Sequence, residues 1–357
     1  MSLSSLGWNA RFEESFTEHR TRGLVPARVA REDRTRYVVL GESGARPAEL
    51  AGRLRHEART RADLPAVGDW VAVRPGDASP AIVEAVLPRS SAFVRKDVGD
   101  AAIEQVVAAN VDTVFLVSGL DLDFNPRRIE RYLAAAWESG ATPVVVLNKA
   151  DLDPDRDARV AEVEALAPGA AVLAVSALEG DGIAALAPWL LPGRTVALLG
   201  SSGVGKSTLV NALLGEERQA TGAVREHDSR GRHTTTHREL VALPGGALLL
   251  DTPGMRVLKL WGDEDSVDGA FPEIASLAEG CRFRDCRHQS EPGCAVLAAE
   301  ADGTLPADRL ASWRKLQREA HWLATRVDAR ARAAEEAKWK AIHKSMRDHP
   351  KADRWKK

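Results

Sequence analysis

The sequence predicts three successive folded parts: a small β-barrel, an α/β part on a parallel sheet, and a mostly helical part around a Cys/His cluster. Three observations carry this. Short β-type runs separated by turns crowd residues 24–94, and apolar runs alternating with helix signals follow from about 100. All three cysteines of the chain then fall between 281 and 294. A length of 357 residues agrees with two or three domains.

In chain order, residues 1–19 read as an N-terminal extension with one short helix around Arg11–His19. Residues 20–95 hold the runs Val25–Val29, Tyr37–Leu40, Asp69–Val73 and Ala81–Val86, divided by turn clusters such as Gly41-Glu42-Ser43-Gly44. Several short strands in so little chain read as a barrel of OB-fold type, although an SH3-like barrel leaves the same trace. Residues 96–268 carry apolar strands at Val111–Ser118, Val144–Leu147, Ala171–Val175, Thr195–Leu199 and Leu248–Leu250. Asn125-Pro126 supplies an N-cap and first-turn proline for a helix that stops near Gly140. Strands alternating with helices predict a parallel sheet covered on both faces. Residues 269–325 form the Cys/His part, in which Trp313, Leu316, Ala320 and Leu323 share one side of a helix. Residues 326–357 form a basic helical tail.

Composition excludes several classes. A chain 44% hydrophobic and 28% charged is neither disordered nor collagen-like. No run reaches the roughly 18 apolar residues of a membrane helix, and the first residues lack a secretory pattern. A cytoplasmic, monomeric protein without membrane contact is expected. The net charge of −2 conceals an uneven distribution. Residues 326–357 hold 11 Lys/Arg against 5 Asp/Glu, and residues 20–74 hold 12 Arg against 7 Asp/Glu. Two basic ends around an acidic middle suit a polyanionic partner gripped at the ends. Trp339 and Trp355, set among Lys and Arg, mark the tail as a candidate arm that orders on RNA, with a plain solvated helix the alternative.

The strongest motif is Gly200-Ser201-Ser202-Gly203-Val204-Gly205-Lys206-Ser207-Thr208, which fits G-x-x-x-x-G-K-[ST] between a strand and a helix. Its glycines let backbone N–H groups curl around phosphate, and the helix N-terminus adds positive potential. Lys206 is expected to reach the β- and γ-phosphates and Ser207 to ligate Mg²⁺. Asn148-Lys149-Ala150-Asp151 follows an apolar strand, where an Asn and a carboxylate can read the guanine edge. Ser176-Ala177-Leu178 has the form of the loop that backs a guanine. Asp251-Thr252-Pro253-Gly254 places Asp251 toward Mg²⁺ and the Gly254 N–H toward the γ-phosphate. Gly231-Arg232-His233-Thr234-Thr235-Thr236 should complete the Mg²⁺ shell through Thr235, with Thr234 the alternative.

In an ordinary GTPase the base-reading motifs follow the phosphate loop. Here they precede it, which defines a circularly permuted P-loop GTPase domain if the ancestral termini were joined and new ones opened elsewhere. Met255 stands where a water-orienting glutamine would be and cannot hydrogen-bond water. Slow turnover is therefore expected, with His233 the available group for the attacking water. Lys206, Thr235 and Asp251 complete the expected catalytic set. Cys281, Cys286, His288 and Cys294 offer three thiols and an imidazole within 14 residues, enough for a closed structural Zn²⁺ site. Arg282, Arg284 and Arg287 are interleaved with them.

Together these motifs resemble the RsgA (YjeQ) family over about residues 20–325. The resemblance implies an OB-fold, a permuted GTPase domain and a zinc domain. It also implies 16S rRNA contact on the small ribosomal subunit during late maturation, and GTP hydrolysis to GDP stimulated by that subunit. It assigns nucleotide contacts to Gly200–Thr208 and Asn148–Asp151, zinc ligation to the Cys/His set, and a catalytic role to His233. A permuted GTPase of large-subunit assembly, an ATPase, and a nucleotide-gated RNA-binding scaffold with incidental hydrolysis are the competing expectations.

Overall fold

A computed structural model describes residues 2–33, 36–76, 80–97, 103–215, 238–251 and 270–327. These fall into two compact units, one carrying the barrel and the α/β sheet, the other residues 270–327. His233, Thr234, Thr235, Gly254, Met255 and the tail tryptophans lie outside the described residues.

The barrel strands are β1 (Val25–Asp33), β2 (Arg36–Gly41), β3 (Gly44–Leu50), β4 (Trp70–Val73) and β5 (Ala81–Val86). Pairing runs β1–β2–β3–β5–β4 and returns from β4 to β1, with β3–β5 the one parallel contact among these pairs. That closed order settles the barrel as OB-type. β3 was not expected: Gly44-Ala45-Arg46-Pro47 has little β-propensity, and pairing with β2 across the Glu42-Ser43 turn overrides it. Inside sit Val29, Val39, Val71 and Val83, all buried.

The segment before the barrel is part of this folded unit. A first helix, α1 (Ala10–Thr21), starts at Asn9, whose side chain accepts from the backbone N–H groups of Arg11 and Phe12. It packs Phe12 and Phe16, together with Leu6, onto buried Trp70. Trp8 meets Trp70 edge-on with ring centroids 4.7 Å apart.

A short helix, α2 (Gly52–Glu57), and a hairpin of β6 (Ala92–Asp97) and β7 (Ile103–Ala109) follow β3 and β5 respectively. The α/β sheet is then built from β8 (Thr113–Gly119), β9 (Thr142–Asn148), β10 (Ala171–Ala174), β11 (Thr195–Leu199), β12 (Arg238–Ala242) and β13 (Leu248–Asp251). Helices α3 (Pro126–Ser139), α4 (Arg156–Leu166) and α5 (Lys206–Leu214) connect or follow them. α3 has the expected boundaries: Asn125 caps it, Pro126 opens it and Gly140 closes it in the left-handed conformation.

The strand order is β10-β9-β8-β11-β13-β12, parallel except for β12. β8 and β11 are wholly buried, as central parallel strands covered on both faces must be. The strand before the phosphate loop, β11, thus lies between β8 and β13, while β9 and β10, which lead into the N-K-x-D and S-A-L segments, continue the sheet beyond β8. The sheet also runs on into the barrel, because β12 pairs with β1 at Arg31↔Glu239 and Glu32↔Arg238. Eleven strands therefore form one continuous sheet.

The second unit contains α6 (Pro272–Ala278), α7 (Ala295–Ala301) and α8 (Ala307–Val327). Phe271, Ile274, Val296, Leu310 and Leu316 are buried within it. No helix among the described residues is long and apolar enough to cross a membrane.

Candidate nucleotide site and metal centre

The phosphate loop leaves the C-terminal end of β11 and enters α5 at Lys206. Its geometry explains its glycines. Gly205 has φ +90°, and a Cβ there would lie 2.2 Å from Asn148 Nδ2. A Cβ on Gly200 would lie 2.3 Å from the Val117 carbonyl oxygen. The Lys206 ammonium donates to the carbonyls of Gly200, at 2.8 Å, and Ser201. Ser202 and Gly203 are exposed, Val204 is buried against the sheet, and Ser207 and Thr208 are half-buried in the first turn of α5.

Asn148 ends β9 and holds the site together. It is 2% exposed; its Nδ2 donates to the Val204 carbonyl at 2.8 Å, and its Oδ1 accepts from the Ala177 N–H at 2.9 Å. One side chain thus brackets the phosphate loop and the Ser176-Ala177-Leu178 loop, two segments far apart in sequence. Its own backbone carbonyl accepts from the Leu120 N–H at 2.7 Å, which adds the β8–α3 loop to the bracket.

Lys149 follows in the left-handed conformation at φ +64°, and its ammonium meets Asp121 Oδ2 at 2.6 Å. Burial opposes the Asp121 charge, but the Lys149 ammonium and the Asp123 N–H outweigh it and hold this carboxyl below its ordinary 3.8. Ala150 donates its N–H to the Val175 carbonyl at 3.0 Å, which leaves Asp151 exposed in the short 3₁₀ turn Ala150–Leu152. Buried Ser176 is fixed by an N–H bond to the Asp181 carbonyl at 2.9 Å, and Leu178 beside it is exposed. Asp251 ends β13, next to the phosphate-loop strand.

Sequence reasoning missed Asp121, which holds the Lys149 ammonium, and Asp123, whose N–H supports that carboxylate. The available signal was the pair of acids spaced i, i+2 just beyond an apolar strand that ends beside the phosphate loop.

In the second unit, Cys281, Cys286, His288 and Cys294 each offer one ligand atom, all within 4.8 Å of one another. Cys281 Sγ lies 3.8 Å from Cys294 Sγ and 3.6 Å from His288 Nδ1, which is 3.3 Å from Cys294 Sγ. Ideal tetrahedral zinc, with Zn–S about 2.3 Å and Zn–N about 2.0–2.1 Å, sets ligand separations of roughly 3.5–3.8 Å, and these three lie within about 0.3 Å of that span. The donor set fits. Burial works against the Cys281 thiolate, yet the N–H groups of Val296 and Ala295 hold that thiol below its usual value. Desolvation, with the other two thiols beside it, pushes Cys286 up to about 11. Three thiols crowded together resist full ionisation unless a cation shares their charge. His288 is left-handed at φ +55°, with its carbonyl held by Arg314 at 2.6 Å and its ring 5.4 Å from that of Trp313. Cys294 also caps α7, accepting from the Leu297 N–H.

A family model described as RsgA GTPase matches residues 86–261. The small ribosomal subunit biogenesis GTPase RsgA of Opitutus terrae is 57% identical over 366 residues, covering 99% of this chain and 100% of that protein. The chain belongs to the RsgA family. The protein of the same name from Syntrophotalea carbinolica is 46% identical over 350 residues, 96% of each chain. Among solved structures, YjeQ from Thermotoga maritima matches with a TM-score of 0.63 at 27% identity, over 83% of this chain and 98% of that one. Membership of an RsgA GTPase family implies guanine nucleotide and Mg²⁺.

Proposed function

We propose that this protein binds GTP, hydrolyses it to GDP, and does so on the small ribosomal subunit during its late maturation, in contact with 16S rRNA. The observation that carries the nucleotide reading is the Asn148 bracket. It brings the phosphate loop, the N-K-x-D turn and the S-A-L loop to one point, although the chain presents them in permuted order. The names of the curated relatives support the small-subunit partner.

In this reading the N–H groups of residues 200–208 and the Lys206 ammonium receive the phosphates, and Lys206 exchanges its loop carbonyls for phosphate oxygens. Asp151 accepts from the guanine N–H groups that adenine lacks. An amide nitrogen carries two N–H groups, so the bond from Asn148 to Val204 leaves one for a purine acceptor. Ala177 and Leu178 wall the base. Ser207, Thr235 and Asp251 are the residues that would hold Mg²⁺, which supplies charge neutralisation between the β- and γ-phosphates. The Gly254 N–H would meet the γ-phosphate, and His233 would position the attacking water, which the Met255 side chain cannot hydrogen-bond. Cys281, Cys286, His288 and Cys294 hold one structural Zn²⁺. The basic barrel and tail supply phosphate attraction that weakens as salt rises. The protein works as a cytoplasmic monomer.

The test is GTP turnover by the protein alone, with purified small subunits, and with large subunits. Stimulation by small subunits only is the expected result. Tight GTP binding with no stimulation by either would favour the scaffold reading instead.

A further inference from the structure

Arg128 lies in the first turn of α3, outside every nucleotide motif in the sequence, yet its side chain ends on the phosphate loop. Its guanidinium takes both oxygens of Asp123, at 2.9 Å each, and donates to the Asp123 carbonyl at 2.8 Å. That grip aims Nη1 at the Ser201 hydroxyl, 73 residues away in sequence. Lys206 holds the carbonyl of the same residue. Ser201 is therefore gripped from two sides, by its hydroxyl and by its backbone.

We propose that Arg128 is a positioning residue of the nucleotide site, fixing the phosphate loop through Ser201 before phosphate arrives. The proposal rests on the guanine-nucleotide reading above. A glycine-rich loop has more freedom to lose on binding than other backbone, and an anchor beside Gly200 removes part of that cost in advance. An arginine suits the task because its planar fork holds the carboxylate and still presents a donor to the hydroxyl, which a lysine cannot do in one geometry. Asp123 neutralises the guanidinium, so Arg128 acts through Ser201 and not as a second phosphate ligand.

The experiment measures affinity for fluorescent GDP and GTP, KM and kcat for GTP turnover, and the thermal midpoint without nucleotide. The proteins are the full chain and its Arg128→Ala, Arg128→Lys, Ser201→Ala and Arg128→Ala/Ser201→Ala variants. Loss of one charge-assisted hydrogen bond should weaken both nucleotides together by about tenfold in either alanine variant. KM should rise by that factor, with kcat changing less than about twofold. The double variant should be no weaker than the worse single one, and Arg128→Lys should not restore affinity. A purely local role for the Arg128–Asp123 pair in α3 predicts a lower thermal midpoint with unchanged affinity, and that result overturns the proposal. So do losses that multiply in the double variant. Failure of the unsubstituted chain to bind guanine nucleotide overturns the underlying reading and this proposal with it, whereas binding that the variants leave unchanged overturns this proposal alone.

Discussion

Replacing Arg28 by methionine tests the polar centre that joins three parts of the first unit. Arg28 is 1% exposed and, among the described residues, donates to three backbone carbonyls: Gly68 at 3.1 Å, Leu6 at 2.5 Å and Asn110 at 3.0 Å. These belong to the turn before β4, the N-terminal segment and the junction between β7 and β8. The guanidinium also lies 5.7 Å from the Trp70 ring centroid. Burial pulls it down to about 10, against the upward pull of Asp112 and Asp69. That net lowering, carboxylates included, corresponds to a cost to the charged form of about 3 kcal/mol. Three hydrogen bonds from a charged donor contribute about 1.5–3 kcal/mol each and outweigh it. Methionine fills the space but leaves the Leu6 and Asn110 carbonyls without this donor, while the Gly68 carbonyl keeps the Asn110 amide at 3.1 Å. The expected loss is about 2–5 kcal/mol. Urea unfolding followed by tryptophan fluorescence should show the midpoint falling by about 1 M or more, given slopes of about 1–3 kcal/mol/M. A shift under about 0.3 M would mean that the carbonyls find water or each other, and the hub argument would fail.

Other expectations concern the two sites. Gly205→Ala should weaken guanine nucleotide binding by at least about tenfold, because it adds left-handed strain and drives a methyl into the Asn148 amide. Gly215→Ala carries similar strain with no neighbour within 4 Å among the described residues, so it separates strain from clash; equal losses in the two would discount the amide contact. Asp121→Asn should loosen Lys149 and lower nucleotide affinity by a factor that stays constant from about pH 5 to 8. The Asp121 carboxyl, held below 3.8 in the fold, contributes stability above that value and loses it only as pH falls through its lowered pKa. An affinity loss that titrates near neutrality would point to another group. Chelation should release one zinc per chain and change the fluorescence of Trp313, whose ring packs beside His288; the same change in a Trp313→Phe protein would place the signal elsewhere.

What could be read from the sequence was whatever the chain keeps contiguous. The phosphate loop, the N-K-x-D turn, the α3 caps and the Cys/His spacing each put their chemistry within a few residues, and each stands at the expected place in chain order. β3 was invisible because its residues are poor strand formers made extended by a neighbour. The N-terminal segment read as an appendage because Phe12 and Phe16 find Trp70 only in three dimensions. Arg28 and Arg128 carried no local signal for the same reason: their partners stand up to 82 and 73 residues away. Charge balance cannot distinguish an arginine bound for solvent from one that ends on a carbonyl inside the protein.

The contact between β12 and β1 has a consequence for solubility. A strand bordering an open sheet presents bare N–H and C=O groups, a template for another chain to add itself. β12 would be such a border of the α/β sheet, antiparallel and on the side away from β10. Its neighbour at Glu239 and Arg238 is instead a strand already rolled into a closed barrel, which has no border of its own to pass on along that direction. The barrel serves as an end-stop for the sheet. A chain cut between barrel and sheet should therefore expose β12 and tend to aggregate even if each half folds.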